Sequence, residues 1–283
     1  MQKKRTNTLS AVMAAVVLAA FTAVPAMAGE EKNSETEITV FAAASLTETL
    51  EEIGALYMEE HPEITLTFNF DSSGTLKTQI QEGAVCDLFL SAGQKQMDQL
   101  DITADPEVNT EELDYVLEET RTDLLENRVT LCVTEENRAE LETFDDLAKA
   151  LTEGNILMAM GNSDVPVGQY TQKILAYYGL DEEILSASGV ISYGSNVKEV
   201  TTQISEGSVD CGIIYCTDAY STALNIVDYA TPEMCGQVIY PAAVLKTSEH
   251  QEEAAAFLNY LSEEPCMEIF EKVGFSKVTA EDE

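Results

Sequence analysis

The fold of this chain is decided by residues 38–47, which read ITVFAAASLT. The β-branched start of this stretch predicts a strand, and the residues that follow, Thr47 to Glu60, carry apolar side chains at a helical period. Ser45 therefore stands where the strand gives way to the helix. The first N–H groups of a helix have no intrahelical partner and lie at the positive end of its dipole. The junction at Ser45 has the outline of an anion site, although a serine at such a position can equally be a plain helix cap.

The same pattern recurs in the next segment of the chain. Residues 64–70, ITLTFNF, alternate like a strand, and residues 71–75, DSSGT, lead into a second helix. A third buried strand is predicted over residues 87–92, followed by a helix from Gln94 to Leu100. Open α/β sheets bind ligands beyond the carboxyl ends of their strands. The two serine-containing junctions would therefore face one crevice.

The second half of the chain repeats this alternation, with predicted strands over residues 128–133, 156–161 and 210–215. Pro166 suits the first turn of the helix that follows the middle strand, because its missing N–H is not needed there. A further helix is predicted to start near Val197. Strands and helices alternate almost throughout, which is typical of the α/β class. Beyond residue 28 the chain is long enough for one large domain or for two lobes.

Residues 1–28 have the features of a cleavable signal peptide. Lys3, Lys4 and Arg5 form a basic start, residues 9–21 form an apolar segment, and Ala26-Met27-Ala28 supplies small residues for cleavage. No cysteine lies near that position, so we expect no lipid anchor. No later stretch reaches the roughly 20 apolar residues that a bilayer requires. We expect an exported protein, periplasmic or otherwise extracytoplasmic, that is soluble after cleavage.

The composition is strongly acidic. The formal net charge is −36, and it becomes −39 when the three basic residues of the predicted signal peptide are removed. A nucleic-acid partner is excluded at this charge, because phosphate binding requires a basic face. The ordinary interpretation of so many acidic residues is a solvated surface that resists aggregation.

Cysteine and histidine supply little chemistry in this sequence. Six cysteines allow 15 disulfide pairings, and the pairing is left open; they are Cys86, Cys132, Cys211, Cys216, Cys235 and Cys266. Four of them, in or beside strand-like runs, are more typical of small buried hydrophobic residues. The two histidines, His61 and His250, lie near no plausible nucleophile, and there is no nucleophile elbow, phosphate-binding loop or dinucleotide motif. We therefore expect no enzyme activity and no cofactor.

An ordered set of short motifs runs through the chain: FAAASLT (41–47), SSGTL (72–76), DLFLSA (87–92), VPVG (165–168), NV (196–197), GIIY (212–215), YPAAV (240–244), and IF and GF within 269–275. In this order the motifs resemble those of the periplasmic molybdate-binding proteins, the soluble receptors of ABC-type molybdate importers. The resemblance spans essentially the whole chain after residue 28.

The resemblance implies a two-lobed, periplasmic-binding-protein-like α/β fold with the ligand in a cleft between the lobes. It places lobe 1 in residues 29–125, lobe 2 in residues 126–227, and a return to lobe 1 in residues 228–283. It also implies a monomer that captures molybdate or tungstate and delivers it to an ABC importer permease at the membrane.

Five positions match the ligand contacts of this family. Ser45 and Ser73 would offer hydroxyl and local N–H groups, Val167 and Val197 backbone N–H groups, and Tyr215 its hydroxyl. These groups would contact the oxygens of the oxyanion, and none would be a direct ligand of the metal atom. Such neutral donors suit a dianion, because a fully deprotonated oxyanion offers only acceptors.

The sequence departs from the family pattern at Asp71, which precedes the second serine pair. A carboxylate aimed inward would oppose a dianion. We expect Asp71 to point outward, which leaves Ser73 and the Gly74 N–H as donors.

Each of these five residues also has a plain structural interpretation, as a helix cap, a core residue or a buried tyrosine. Three other functions stay open: binding of a different solute, such as sulfate, another oxyanion or a ferric ion; enzyme activity; and a structural role at the cell surface. A ferric site would require clustered tyrosines, and the adjacent Tyr177 and Tyr178 cannot both face one site from a helix.

Overall fold

The computed structural model describes residues 36–278, so the predicted signal peptide lies outside the described residues. Strands and helices alternate as the sequence predicts. The strands are β1 (Thr36–Ala43), β2 (Ile64–Asp71), β3 (Leu88–Leu90), β4 (Thr122–Asn127), β5 (Val129–Val133), β6 (Met158–Gly161), β7 (Ile191–Gly194), β8 (Cys211–Tyr215), β9 (Asn225–Tyr229) and β10 (Val238–Val244).

The helices connect these strands and cover the sheets. They are α1 (Thr47–Glu60), α2 (Ser73–Gln81), α3 (Gln94–Asp98), α4 (Phe144–Glu153), α5 (Pro166–Tyr177), α6 (Glu182–Ala187), α7 (Val197–Ser205), α8 (Cys216–Thr222), α9 (Pro232–Cys235), α10 (Gln251–Leu261) and α11 (Glu264–Val273). Two short 3₁₀ turns, Ala44–Leu46 and Glu118–Thr120, complete the described chain.

The strands form two five-stranded mixed sheets of matching design. The first has the order β2-β1-β3-β10-β4, and the second has the order β7-β6-β8-β5-β9. In each sheet the first three strands of this order are parallel to one another. The fourth strand pairs antiparallel with the third, and the fifth pairs antiparallel with the fourth. Parallel neighbours require a crossover connection, which the helices provide. The predicted α/β class with two lobes is therefore confirmed.

The chain passes between the two sheets at two places. The first crossing follows Asn127, the last residue of β4, and the second follows Tyr229, the last residue of β9. The lobe boundaries expected after residues 125 and 227 each fall two residues before the end of a strand. Lobe 1 thus contains β1 to β4 and β10 with their helices, and lobe 2 contains β5 to β9.

The core explains why the first strand carries so few polar residues. Val40 and Ala42 of β1 are fully buried in the main apolar cluster, with Leu50 of α1. Phe41, which points the other way, packs with Leu76 of α2 in a second cluster. A strand that is buried on both faces reads as an almost continuous apolar run, as residues 38–44 do.

All six cysteines are free and buried. Cys132 of β5 lies opposite Gly212 of β8, next to the pair Val133 and Cys211. Burial raises the pKa of the Cys132 thiol to about 12, so it is protonated at neutral pH. The cysteines therefore occupy the positions of small apolar residues, as the strand-like runs around them indicate.

Candidate functional site

The five residues singled out from the sequence come together in the structure. Ser45, Ser73, Val167, Val197 and Tyr215 all line one small cavity between the lobes. The rest of the lining is formed by Ala43, Ala44, Asp71, Ser72, Ala92, Val165 and Pro166.

Four helix starts surround this cavity, two from each lobe. Lobe 1 supplies the 3₁₀ turn Ala44–Leu46 with the start of α1, and the start of α2. Lobe 2 supplies the starts of α5 and α7. The first N–H groups of each helix lack intrahelical partners, and the helix dipoles add positive potential. The cavity is therefore suited to a negatively charged group.

Ser45 lies within the 3₁₀ turn rather than at the cap of α1. Its hydroxyl oxygen is 2.9 Å from the hydroxyl of Tyr240 on β10. Asn127 Nδ2 donates in turn to the Tyr240 hydroxyl, at 3.1 Å, and to the hydroxyl of Thr217, at 3.0 Å. Because Asn127 ends β4 at the first crossing, this network connects the first serine to the junction of the lobes.

Ser73 is the first residue of α2, and Ser72 is its cap, with a hydroxyl that accepts from the Thr75 N–H at 3.1 Å. The Ser73 hydroxyl is fully buried and accepts from the Ala92 N–H at 2.9 Å, so its own proton is available to a ligand. Tyr215, from the other lobe, donates to the Ala92 carbonyl at a long 3.3 Å.

Val167 and Val197 contribute backbone groups. Val167 is the second residue of α5, after Pro166 and the cap residue Val165, and Val197 is the first residue of α7. Helix geometry leaves the N–H groups at these positions without an intrahelical acceptor. Their apolar side chains are buried, which fixes the position of each backbone.

The expectation that Asp71 points outward is wrong. Asp71 lines the cavity and is only half-buried. One carboxylate oxygen accepts from the Ser72 N–H at 2.7 Å and from Asn196 Nδ2, in the other lobe, at 3.4 Å. These two donors draw the carboxylate toward the lobe boundary, which the sequence pattern could not show.

Among the described residues that line the cavity, none is a lysine or an arginine, and Asp71 is the one charged residue. Burial raises the pKa of the Tyr215 hydroxyl well above its ordinary value, and the neighbouring Tyr240 adds to this effect. Burial and the Asp218 carboxylate likewise raise the pKa of Tyr240. Both phenols are therefore neutral at physiological pH.

The cavity is narrow, with about 10 Å³ of space open to the centre of a water molecule. That volume accommodates about one water molecule. A tetrahedral oxyanion has more atoms than a water molecule, so the cavity would have to widen to hold one. No cluster of three or more metal-ligating side chains occurs within residues 36–278.

Sequence reasoning missed three groups at this site: the Tyr240 hydroxyl, the Ala92 backbone and the Asn196 side chain. Tyr240 and Ala92 lie inside the sequence motifs, but nothing local shows that Ala92 lines the cavity or that the Tyr240 hydroxyl contacts Ser45. Asn196 has a local signal, because an asparagine before a helix is a favoured cap. Its side chain does cap α7, by accepting from the Glu199 N–H at 3.0 Å.

Two α/β lobes, joined by two chain crossings around a cavity lined mainly by hydrogen-bond donors, are the architecture of a ligand-binding protein. Residues 38–276 match the family described as bacterial extracellular solute-binding protein. The chain belongs to this family, which is a family of solute-binding proteins and not of enzymes.

Individual relatives agree with this assignment. YvgL of Bacillus subtilis, which is provisionally named as an ABC transporter substrate-binding lipoprotein, is 32% identical over 92% of this chain and 95% of its own length. The molybdate-binding protein ModA of Escherichia coli is 30% identical over 89% of this chain and 93% of its own length. The periplasmic molybdate-binding protein of Azotobacter vinelandii shares the fold with a TM-score of 0.71, at 19% identity, over 86% of this chain and all of that one.

These findings make the chain an extracellular solute-binding protein of the ABC-transporter type, with a solute and a transporter as its partners. Within the described residues, no helix is both long and apolar enough to span a membrane.

Proposed function

We propose that this protein captures molybdate or tungstate in the cavity between its lobes and delivers it to an ABC importer. The observation that carries the proposal is the convergence of four helix starts and the hydroxyls of Ser45, Ser73 and Tyr215 on one cavity without a basic side chain. Its relatives include proteins named for molybdate binding.

Hydrogen bonds from neutral donors are strong enough to account for micromolar binding of an oxyanion. A hydrogen bond to a charged group contributes roughly 1.5–3 kcal/mol, and micromolar binding requires about −8 kcal/mol in all. Several such bonds, with the helix dipoles, offset the cost of removing water from the anion. The net charge of −36 acts mainly through exposed groups, which salt screens over about 8 Å.

The cage itself supplies the selectivity. Hydroxyl and backbone N–H donors dominate the lining and favour an anion that is fully deprotonated at neutral pH over one that carries a proton. The Asp71 carboxylate is the exception and opposes a dianion, although its Oδ1 is engaged by the Ser72 N–H and Asn196 Nδ2. Among dianions, the spacing of donors distinguishes the larger molybdate and tungstate from sulfate. We further propose that the protein is exported through its N-terminal segment and acts as a monomer, with the two closed lobes presented together to the permease.

Calorimetric titration of the purified protein with molybdate, tungstate, sulfate and phosphate tests the proposal. We expect one-to-one binding of molybdate and tungstate, with no heat of binding from the other two. Preference for sulfate would move the ligand to a different oxyanion. Silence with all four anions would refute the oxyanion site and return the five residues to structural roles.

A further inference from the structure

The start of α7 contacts lobe 1 through the two residues that flank Val197, which lines the cavity. Three consecutive residues make three different contacts. Asn196 Nδ2 donates to Asp71 Oδ1 at 3.4 Å, Val197 lines the cavity, and Lys198 Nζ donates to both carboxylate oxygens of Glu48 at 2.8 Å. Asp71 ends β2 and Glu48 lies in the first turn of α1, so both carboxylates belong to lobe 1.

Lys198 is also anchored within its own lobe. Its Nζ lies 3.4 Å from Asp218 Oδ1 on α8. Asp218 is buried, and neither of its carboxylate oxygens has a hydrogen-bond partner among the described residues. A buried carboxylate without such partners is costly unless a cation lies beside it. Asp218 therefore holds the Lys198 ammonium at the lobe boundary and reduces the entropy that the side chain loses on meeting Glu48.

We propose that Glu48, Lys198, Asp71 and Asn196 form a closure clamp that stabilises the closed arrangement of the lobes and slows release of the solute. Lys198 is a positioning residue in this clamp, because it acts through the lobes and does not line the cavity. The proposal rests on the proposed function only for the choice of solute used to measure release.

The clamp acts through the population of the closed state. The dissociation constant of a solute that binds the closed state rises in proportion as the closed fraction falls. Loss of a clamp contact should therefore appear mainly in the dissociation rate, as is usual for changes within one interface. Removing one charge of a half-exposed ion pair should change the dissociation rate modestly. Reversing that charge, so that the pair repels, should change it more.

The test is Glu48→Lys, with Glu59→Lys as the matched control. Both glutamates lie on α1, both substitutions change the net charge equally, and Glu59 is exposed about three turns away at the far end of the helix. We expect Glu48→Lys to raise the Kd for molybdate about 3- to 10-fold through faster dissociation. We also expect a larger radius of gyration by small-angle X-ray scattering without added solute. Glu59→Lys should match the wild type in both.

Outcomes for the clamp and for the ligand are separable. If Glu48→Lys and Glu59→Lys have the same dissociation rate and radius of gyration, the clamp is wrong, whatever the ligand. If no variant binds molybdate, the proposed function fails, and the scattering comparison still decides the clamp. Should Glu48→Lys not fold, Glu48→Gln removes the same contact without adding charge, and should show a smaller change in the same direction. Lys198→Arg, which keeps the cation, should stay close to the wild type.

Discussion

Tyr215 offers the cleanest single-residue test of the site. Its hydroxyl donates to the Ala92 carbonyl at a long 3.3 Å and also interacts with the Tyr240 hydroxyl, so Tyr215→Phe removes only these two contacts from the fold. We expect Tyr215→Phe to weaken oxyanion binding by 1.5–3 kcal/mol, or roughly 10- to 150-fold, because a donor to a charged group is lost. Calorimetry measures the affinity, and thermal unfolding should show little change.

Tyr220→Phe is the control for this substitution, because Tyr220 is an exposed tyrosine on the adjoining helix α8. Equal affinities for the two variants would exclude the Tyr215 hydroxyl as a ligand donor. Ser73→Ala is a less direct test, since it also leaves the buried Ala92 N–H without its acceptor, at a cost of about 1–3 kcal/mol in stability.

Asp218 should make the protein less stable as the pH rises. A carboxylate whose pKa is lowered by folding has the opposite effect. Burial raises the pKa of Asp218 from 3.8 to about 6, and the attraction of Lys198 offsets only part of this rise. Between these two values the folded state binds more protons than the unfolded state, so stability is lost as the pH rises. A rise of about two pKa units corresponds to about 3 kcal/mol, since one unit is 1.36 kcal/mol.

Asp218→Asn removes this titration while keeping the shape of the side chain. The variant should have nearly the wild-type free energy of unfolding at pH 4 and should become the more stable protein by about 3 kcal/mol at pH 7. Urea unfolding of both proteins across this range provides the measurement. A constant difference between them would show that Asp218 does not titrate between those pH values.

At the scale of single elements, the junction between β6 and α5 depends on Gly168. An ideal Cβ at this position would lie 2.2 Å from the Asn162 carbonyl oxygen and 2.4 Å from that of Gly161. Both contacts are with backbone of the same lobe, which cannot move aside without displacing the end of β6. We expect Gly168→Ala to lower the free energy of unfolding by about 1–3 kcal/mol and to weaken binding, because Val167 is displaced with it. Urea unfolding and calorimetry measure the two effects.

At the scale of the whole molecule, Gly74 differs from Gly168 because its close contact is with the other lobe. An ideal Cβ on Gly74 would lie 2.2 Å from the Asp164 carbonyl oxygen, and Asp164 belongs to the other lobe. The clash exists only when the lobes are closed. Gly74→Ala should therefore weaken binding at least tenfold, while the free energy of unfolding stays within about 1 kcal/mol or rises, because alanine favours a helix.

Gly74→Ala and Gly168→Ala form a matched pair, since both glycines lie in the first turn of a helix. The affinity for the solute should fall in both variants. The free energy of unfolding should fall only in Gly168→Ala. Wild-type affinity in Gly74→Ala would mean that the solute binds without the observed closure.

The charge of the molecule makes a prediction about association. With a net charge of −36, the protein repels an approaching anion at long range. Salt shortens the reach of this repulsion from about 30 Å at 0.01 M to about 8 Å at 0.15 M. The association rate of molybdate in stopped-flow experiments should therefore rise with sodium chloride concentration. A rate that falls with salt would instead indicate a positive local field at the mouth of the cleft.

The sequence by itself determined the α/β class, the alternation of strands and helices, and the family. These depend on local periodicity and on short motifs such as those at residues 41–47 and 165–168. Element boundaries were less well defined: α3 ends at Asp98 rather than at Leu100. Helix ends are set by capping contacts and by packing as well as by the local pattern.

Only the tertiary structure decided how the lobes meet. The inward position of Asp71, the Tyr240 hydroxyl beside Ser45, the close approach of Gly74 to Asp164 and the Lys198–Glu48 pair all join residues far apart in the chain. The periodicity of the sequence predicts which face of a helix or strand is buried. Which residue a side chain contacts across the lobe boundary depends on how the two sheets are placed relative to each other. The sequence therefore predicts the donors at each helix start, and the packing of the lobes determines which of them share a cavity and which contacts join the lobes.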